Sequence, residues 1–535
     1  MKKKITIIIF AILLLTACGC KKKPEPLHVP KDFVISNLYT PSDYELDDLK
    51  KAVGDIDYIA LKIGKNYGFN GKACFEYDYD DERFTAIDLS GYAYAPASGL
   101  AEAIGFDYNE ETTTFSHDNI TFSIDSENDK MTYNGTSKDF FRAVEIDGKS
   151  FVNAENFAKL LGLEYEFDAD SNIAFMKNSG SKSTVRDAAE RYDFYEKTVY
   201  TDEKVECDTT GKGKFKKAKE EDRLVGISYA TWFYEGRRWG GWSTWDMPLI
   251  GSYSSFDRDV IKKHGEWLRD AGVDFVFVDW SNNVKYDPAV GMKKWTGLDF
   301  ETVEKATETL FDVWSDLEDA PKICIFTGPG HEQTQYSNVI ENGIMAKKTQ
   351  QIYDTFLANE KYAKQYFNYE GKPLLMCYAA TPAFFDTKTS PYNDDRFTIR
   401  WVTGYVGQQS TLYDEKTRAS YLMWSWEERG VQTFAVNGKY AECMTVCAST
   451  RAQGEEGSDG YIAAAGRDNG ATFRTQWARA QAIGVKIALV VSWNEWTTAE
   501  QYSAEISKDI EPSEIYGTLY LDILRNQIRL FKGEF

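Results

Sequence analysis

The sequence places no tryptophan in its first 231 residues and only four histidines in 535. Those histidines (His28, His117, His264 and His331) are scattered, and no CxxC pair is matched by a second such pair. A structural zinc site is therefore not expected, and neither a metal nor another cofactor is read from the sequence. Basic residues are in deficit: 62 Lys+Arg stand against 83 Asp+Glu, a formal net charge of −21. That balance repels phosphate backbones and makes nucleic acid a poor partner. Hydrophobic residues at 43% and charged residues at 27% exclude a disordered or collagen-like chain.

What is present is unevenly spread. A chain of 535 residues is long enough for two or more domains. All 14 Trp lie between Trp232 and Trp496, so the two halves differ in material. The N-terminus opens on Lys2–Lys4 and an apolar run, Ile5–Leu15. That run is about eleven residues, too short to span a bilayer but suited to a secretory signal. It ends in Leu15-Thr16-Ala17-Cys18, which resembles the bacterial lipobox. The resemblance implies cleavage of residues 1–17 and a lipid on Cys18, with 18–50 as a tether. An exported protein anchored to the cell membrane and facing outward is the expectation, the lipid and the adjacent Lys21–Lys23 acting together. Among the remaining cysteines, Cys324 and Cys377 sit in apolar runs and read as small buried hydrophobes.

Residues 51–178 contain an internal repeat. Gly91 to Tyr108 aligns with Gly148 to Tyr165, 57 positions on. Each copy reads as a short extended piece, a helix ended by glycine (Gly105, Gly162), then a strand. Two copies make a small α+β domain rather than a solenoid. The pattern resembles the copper amine oxidase N-terminal-like domain, and with His117 alone it implies no copper here. A spacer or surface-binding module is the expected role. Residues 179–222 read as a linker with one short helix around Val185–Tyr200.

From residue 223 onward, β-rich runs alternate with helical stretches, the signature of a parallel sheet. Eight strands are expected: Val225–Trp232, Val273–Trp280, Lys322–Thr327, Pro373–Tyr378, Phe397–Tyr405, Ser420–Trp426, Glu442–Ala448 and Lys486–Trp493. Helices are clearest at Asp257–Ala271, Phe300–Leu317, Ala346–Asn368, Phe473–Ile483 and Tyr516–Lys532. This fits an α/β fold, a (β/α)8 TIM barrel preceded by the small repeat domain. A doubly wound open sheet is the alternative, weakened by the lack of a Gly-rich phosphate loop after the first strand.

In a barrel, chemistry gathers where strands end at their C-terminal face. The expected ends carry Trp232, Asp279-Trp280, His331, Tyr378, Trp426-Glu427-Glu428 and Trp493-Asn494-Glu495-Trp496. Aromatic faces for stacking on sugar rings, with paired acids for cutting the glycosidic bond, are what a sugar pocket needs. Each residue has a plainer reading: a tryptophan as a cap on the core, Asp279 as a helix N-cap, His331 as a solvated loop residue. Of the adjacent Glu427 and Glu428, at most one is expected to face the pocket. Glu495 has the weakest plain reading, because a carboxylate among Trp493, Asn494 and Trp496 is costly without a role.

The runs Leu249–Asp257, Ala271–Trp280, Trp493–Trp496, Asp509–Ser513 and Gly517–Leu524 resemble the glycoside hydrolase family 99-like group, which includes endo-α-mannosidases and relatives of the family 71 α-glucanases. In that family two glutamates act together, the first in an Asn-Glu-Trp triplet and the second three residues on. Glu495 matches the first, but Thr498 stands at the second position, and the nearest acid is Glu500. The second carboxylate is thus left to Glu500, Glu511 or Asp279.

The resulting expectation is a hydrolase acting on a polysaccharide or glycan, a monomer, with Glu495, Asp279 and Glu500 as catalytic candidates. Trp232, Trp280, His331, Tyr378, Trp426, Glu428, Asn494, Trp496 and Glu511 are the substrate-binding candidates. The alternative is a glycan-binding lipoprotein that has lost the acid pair.

Overall fold

The computed structural model describes residues 25–30, 47–53, 56–139, 143–201, 203–234, 243–284, 299–328, 343–378, 392–404, 413–421, 423–498 and 503–534. The chain divides into two compact units, residues 1–68 with 75–181, and residues 69–74 with 182–535.

In the first unit the repeat becomes structure. Tyr92–Pro96 leads into helix Ala97–Ala103, and Lys149–Asn153 leads into helix Ala154–Leu161. The two extended pieces pair antiparallel with each other, Phe151 opposite Pro96 and Asn153 opposite Tyr94. Each is entered by a tight turn whose two central residues have positive φ: Ser90-Gly91 and Asp147-Gly148. That pair of left-handed residues is the hairpin geometry whose twist matches its strands, and glycine adopts it without steric cost. Gly162 closes the second helix at φ 71°. The helix faces bury Leu100, Ala101, Phe157, Ala158 and Leu161 in one core. A five-stranded antiparallel meander lies between the copies, running from Asp107–Asn109 to Thr136–Asp139.

In the second unit the eight expected segments each contain strand. They are β1 Leu224–Tyr229, β2 Phe275–Trp280, β3 Lys322–Thr327, β4 Lys372–Tyr378, β5 Thr398–Thr403, β6 Met423–Ser425, β7 Tyr440–Cys447 and β8 Ile487–Val491. They run parallel, in the spatial order β7-β8-β1-β2-β3-β4-β5-β6. Being covered on both faces, they read as near-continuous apolar runs; every residue of β8 is buried. Helices follow five of them: α1 Arg258–Asp270, α2 Phe300–Ser315, α3 Ile344–Ile352, α4 Ala471–Ile483 and α5 Leu519–Lys532. Asp257 starts α1 by accepting from the amides of Asp259 and Val260.

The expected (β/α)8 pattern is modified between β6 and β7. No backbone ladder joins these two strands among the described residues; the connection between them is a strand, Phe434–Asn437, rather than a helix. It pairs antiparallel to β7 and parallel to Ala419–Tyr421, just ahead of β6. Side chains tie β6 to β7 directly: the Trp424 indole donates to Glu442 at 2.9 Å, and the Thr445 hydroxyl donates to the Ser425 carbonyl. Near the N-terminal end of β7, Arg400 and Tyr369 join Trp424 around the buried Glu442 carboxylate.

Candidate active site

The C-terminal ends of β2, β6 and β8 bring three carboxylates into one electrostatic cluster: Asp279, Glu427 and Glu495. Side chains alternate across a strand, so Phe277 and Asp279 share the inner face of β2. The Asp279 carboxylate accepts from the Ser281 amide at 2.9 Å. It caps no helix, because the next described helix starts at Phe300. Burial pushes its carboxyl up, and the nearby Glu495 charge adds to that, against the Ser281 hydrogen bonds and the Lys508 ammonium; the outcome is about 6.

Glu427 lies buried at the end of β6 with three cations around it. Lys508 Nζ is 2.7 Å away, Arg451 Nε 3.2 Å and Arg429 Nη2 3.5 Å. Burial alone would raise its carboxyl, but these charges outweigh it and hold it down at about 2. Lys508 also reaches Glu495, at 3.5 Å. Burial would strip its proton, yet the two carboxylates keep the ammonium charged well above the usual range.

Glu495 keeps 14% of its side chain exposed while its backbone is pinned. The buried Asp509 carboxylate accepts from the amides of Glu495 (2.5 Å) and Trp496 (3.2 Å). It also accepts from the Ser492 and Ser507 hydroxyls and the Trp245 indole. Burial and the Glu495 charge raise this carboxyl to about 6 against those donors. Arg467 fixes the segment from behind, donating to the carbonyls of Ser507 (2.8 Å) and Asp509 (2.5 Å) and stacking on Tyr516 and Tyr520.

Asn494, Trp496 and Glu511 lie behind the cluster rather than open to a ligand. Asn494 clasps β8 to β1, accepting from the Ala230 amide at 2.8 Å and donating to its carbonyl at 3.2 Å. Trp496 is fully buried at φ 43°, a left-handed backbone that non-glycine residues adopt at a cost. Its indole donates to Glu511 at 2.5 Å, and Glu511 also accepts from Tyr253 at 2.9 Å. His264 Nε2 lies 2.9 Å from Glu511 Oε1, and both side chains are wholly buried.

The other substrate-binding candidates separate by exposure. Trp426 stays partly open, stacked on Phe326 at 5.1 Å and edge-on to Phe277 at 5.8 Å. Tyr378 is buried edge-on to Phe326 at 5.9 Å. Together these rings form an aromatic floor near Asp279. Trp280 faces the opposite way, fully buried between sheet and helices, its indole donating to Thr307 at 3.0 Å. Trp232 is buried beside Phe233. Glu428 is buried with the Thr433 hydroxyl donating to it, and burial raises its carboxyl. All three are buried in this structure. His331, Glu500 and the lipid-anchor Cys18 lie outside the described residues.

Sequence reasoning passed over Lys508, Asp509, Arg451 and the half-buried Trp245. Only Asp509 and Trp245 carried any signal, the first inside the Asp509–Ser513 run and the second inside the tryptophan-rich half. Among the described residues no group of three or more His, Cys, Asp or Glu is placed to hold a metal ion.

Fold and site define an α/β protein with an acid cluster and aromatic floor at the C-terminal end of a parallel sheet. No protein-family model matches the chain, and no curated protein matches its sequence. Among solved structures it is similar to the glycoside hydrolase family 99 endo-α-mannosidase of Bacteroides thetaiotaomicron, in complex with bis-tris propane: 17% identity, 58% of this chain and 98% of that one, TM-score 0.36. A second structure of that family 99 enzyme gives 16% identity, the same coverages and a TM-score of 0.35. A glycoside hydrolase-like protein gives 14% identity, 62% of this chain and 98% of that one, TM-score 0.38. Similarity this loose carries no argument about the reaction, which rests on the site's own geometry.

Proposed function

We propose that this chain is a glycoside hydrolase acting on a polysaccharide or glycan, with Asp279 and Glu495 as its acid pair. The observation that carries the reading is Asp279: a half-buried carboxyl raised to about 6, beside a second carboxylate at the same sheet end. A carboxyl whose proton is held by its surroundings, next to a second carboxylate, is what glycosidic cleavage uses. Asp279 protonates the leaving oxygen. Glu495, paired to Lys508, acts as the nucleophile or activates water. Trp426, and Trp245 beside Asp509, offer faces for a sugar ring.

The unit of eight parallel strands is read as a TIM-type barrel closed through the inserted strand Phe434–Asn437. The first unit is read as a copper amine oxidase N-terminal-like spacer, supported by its paired repeat. Export and a lipid on Cys18 complete the proposal: a monomer tethered to the outer face of a bacterial cell membrane.

The test is release of reducing ends from a panel of α-linked glycans by the purified protein. Glu495→Gln and Asp279→Asn are each expected to lose at least about 100-fold in kcat. Hydrolysis at the parent rate by either variant removes that residue from the mechanism. A second reading, a glycan binder without turnover, is favoured by Thr498 at the family's second glutamate position. Saturable binding with no product from any glycan in the panel would establish it.

A further inference from the structure

Lys508 is an unusual residue to find in an acid cluster. Its side chain is only 3% exposed, and a buried ammonium is costly unless charged partners surround it. Neutralising Glu427 does not require it, since Arg451 and Arg429 already approach that carboxylate. Its placement is set from both ends. The Ser492 amide donates to the Lys508 carbonyl at 3.2 Å, and Arg467 holds the carbonyls of the flanking residues Ser507 and Asp509. At the far end, Nζ is drawn to Glu427 at 2.7 Å and comes to 3.5 Å from Glu495.

We propose that Lys508 is a positioning residue: clamped by Glu427 at the end of β6, it keeps Glu495 at the end of β8 ionised and ready to accept a proton or attack. The inference rests on the reading of Glu495 as a catalytic carboxylate. The charged groups around Glu495 make the need visible. Asp279 faces it from the end of β2, and Asp509 from the segment after β8. The Cys447 thiol, at the end of β7, sits near Lys508 and Glu427 and is held neutral by burial. Arg451 and Arg429 reach Glu427. Lys508 is paired with Glu495 at 3.5 Å. Without it Glu495 faces two other carboxyls, and like charges drive a carboxylate to take up a proton. The ammonium thus gives the pair its asymmetry, lying 3.5 Å from Glu495.

The experiment compares the full chain with Lys508→Met, Lys508→Arg and the double variant Glu427→Gln/Lys508→Met. The double variant removes Glu427 together with the ammonium, so that Glu427 is not left buried without Lys508 if the single one folds poorly; Arg451 and Arg429, less deeply buried, keep access to solvent. The first readout needs no activity: a 13C-carboxylate NMR titration, with the Glu495 signal assigned by its loss in Glu495→Gln. The Glu495 midpoint is expected to rise by about one pH unit or more in Lys508→Met and in the double variant. Lys508→Arg is expected to restore the parent midpoint. An unchanged midpoint in Lys508→Met and in the double variant overturns the proposal. Turnover, read alongside, separates the two claims. A shifted midpoint with no glycan cleaved by the parent protein retires the hydrolase reading and supports the role of Lys508. Cleavage by the parent with no shift keeps the hydrolase and rejects Lys508.

Discussion

Asp279 and Trp280 are neighbours whose side chains leave β2 on opposite faces, one into the acid cluster and one against α2. The two-residue period of a strand allows only one of such a pair to face a pocket. Glu427 and Glu428 divide in the same way, the first to three cations and the second to Thr433. The sequence marked both pairs as strand ends rich in acid and aromatic residues, but end position alone does not choose the face. Asp279 also carries a stability consequence. Its folded carboxyl lies near 6, above its ordinary 3.8, so the folded state binds the proton more tightly than the unfolded chain. Its contribution is present at pH 4 and lost as pH rises through about 6. Asp279→Asn should therefore stabilise the protein at pH 7.5 by about 2 kcal/mol and change little at pH 4. Urea unfolding at the two pH values measures this; equal midpoints for both proteins at pH 7.5 contradict it.

The segment after β8 is the element on which the site depends most. Residues 507–511 return beside the end of β8, where the amides of Ile510 and Glu511 donate to the carbonyls of Ser492 and Trp493. This return brings Lys508 to Glu495, Asp509 to the backbone of Glu495 and Trp496, and Glu511 to the Trp496 indole. The sequence flagged Asp509–Ser513 and Glu511 but not these pairings, nor Lys508, because a loop returning 13 to 18 residues later has no periodicity to read. The strands were legible for the opposite reason: each is a buried apolar run with β-branched residues, bounded by helical stretches. The helix expected across 346–368 is instead broken into α3, a π-turn at Tyr353–Leu357 and a short helix at Glu360–Gln365, which hydrophobic spacing does not resolve. Arg467 is the anchor of the return segment. Arg467→Ala should speed amide exchange across residues 507–510 by at least about 10-fold and leave β2 unchanged. Hydrogen–deuterium exchange read by mass spectrometry gives the answer, and unaltered protection at 507–510 rejects the anchor role.

At the scale of the whole chain, the uneven tryptophan content marks the unit that holds the acid cluster without identifying which rings meet a ligand. Six of the described indoles there are fully buried: Trp280, Trp314, Trp424, Trp477, Trp493 and Trp496 are among the largest fully buried side chains. Among the described residues, the half-buried Trp245 and Trp426 lie beside the site. The first unit contributes a separate core built from a paired repeat, with no acid cluster of this kind among its described residues. In the proposed hydrolase, Asp279 supplies the proton and Glu495 the opposing charge. This assignment is tested most directly by the pH dependence of kcat/KM on a cleaved glycan. The rate should fall as pH rises through about 6, where Asp279 loses its proton, and that limb should be lost in Asp279→Asn. A limb at the same pH in Asp279→Asn would contradict it.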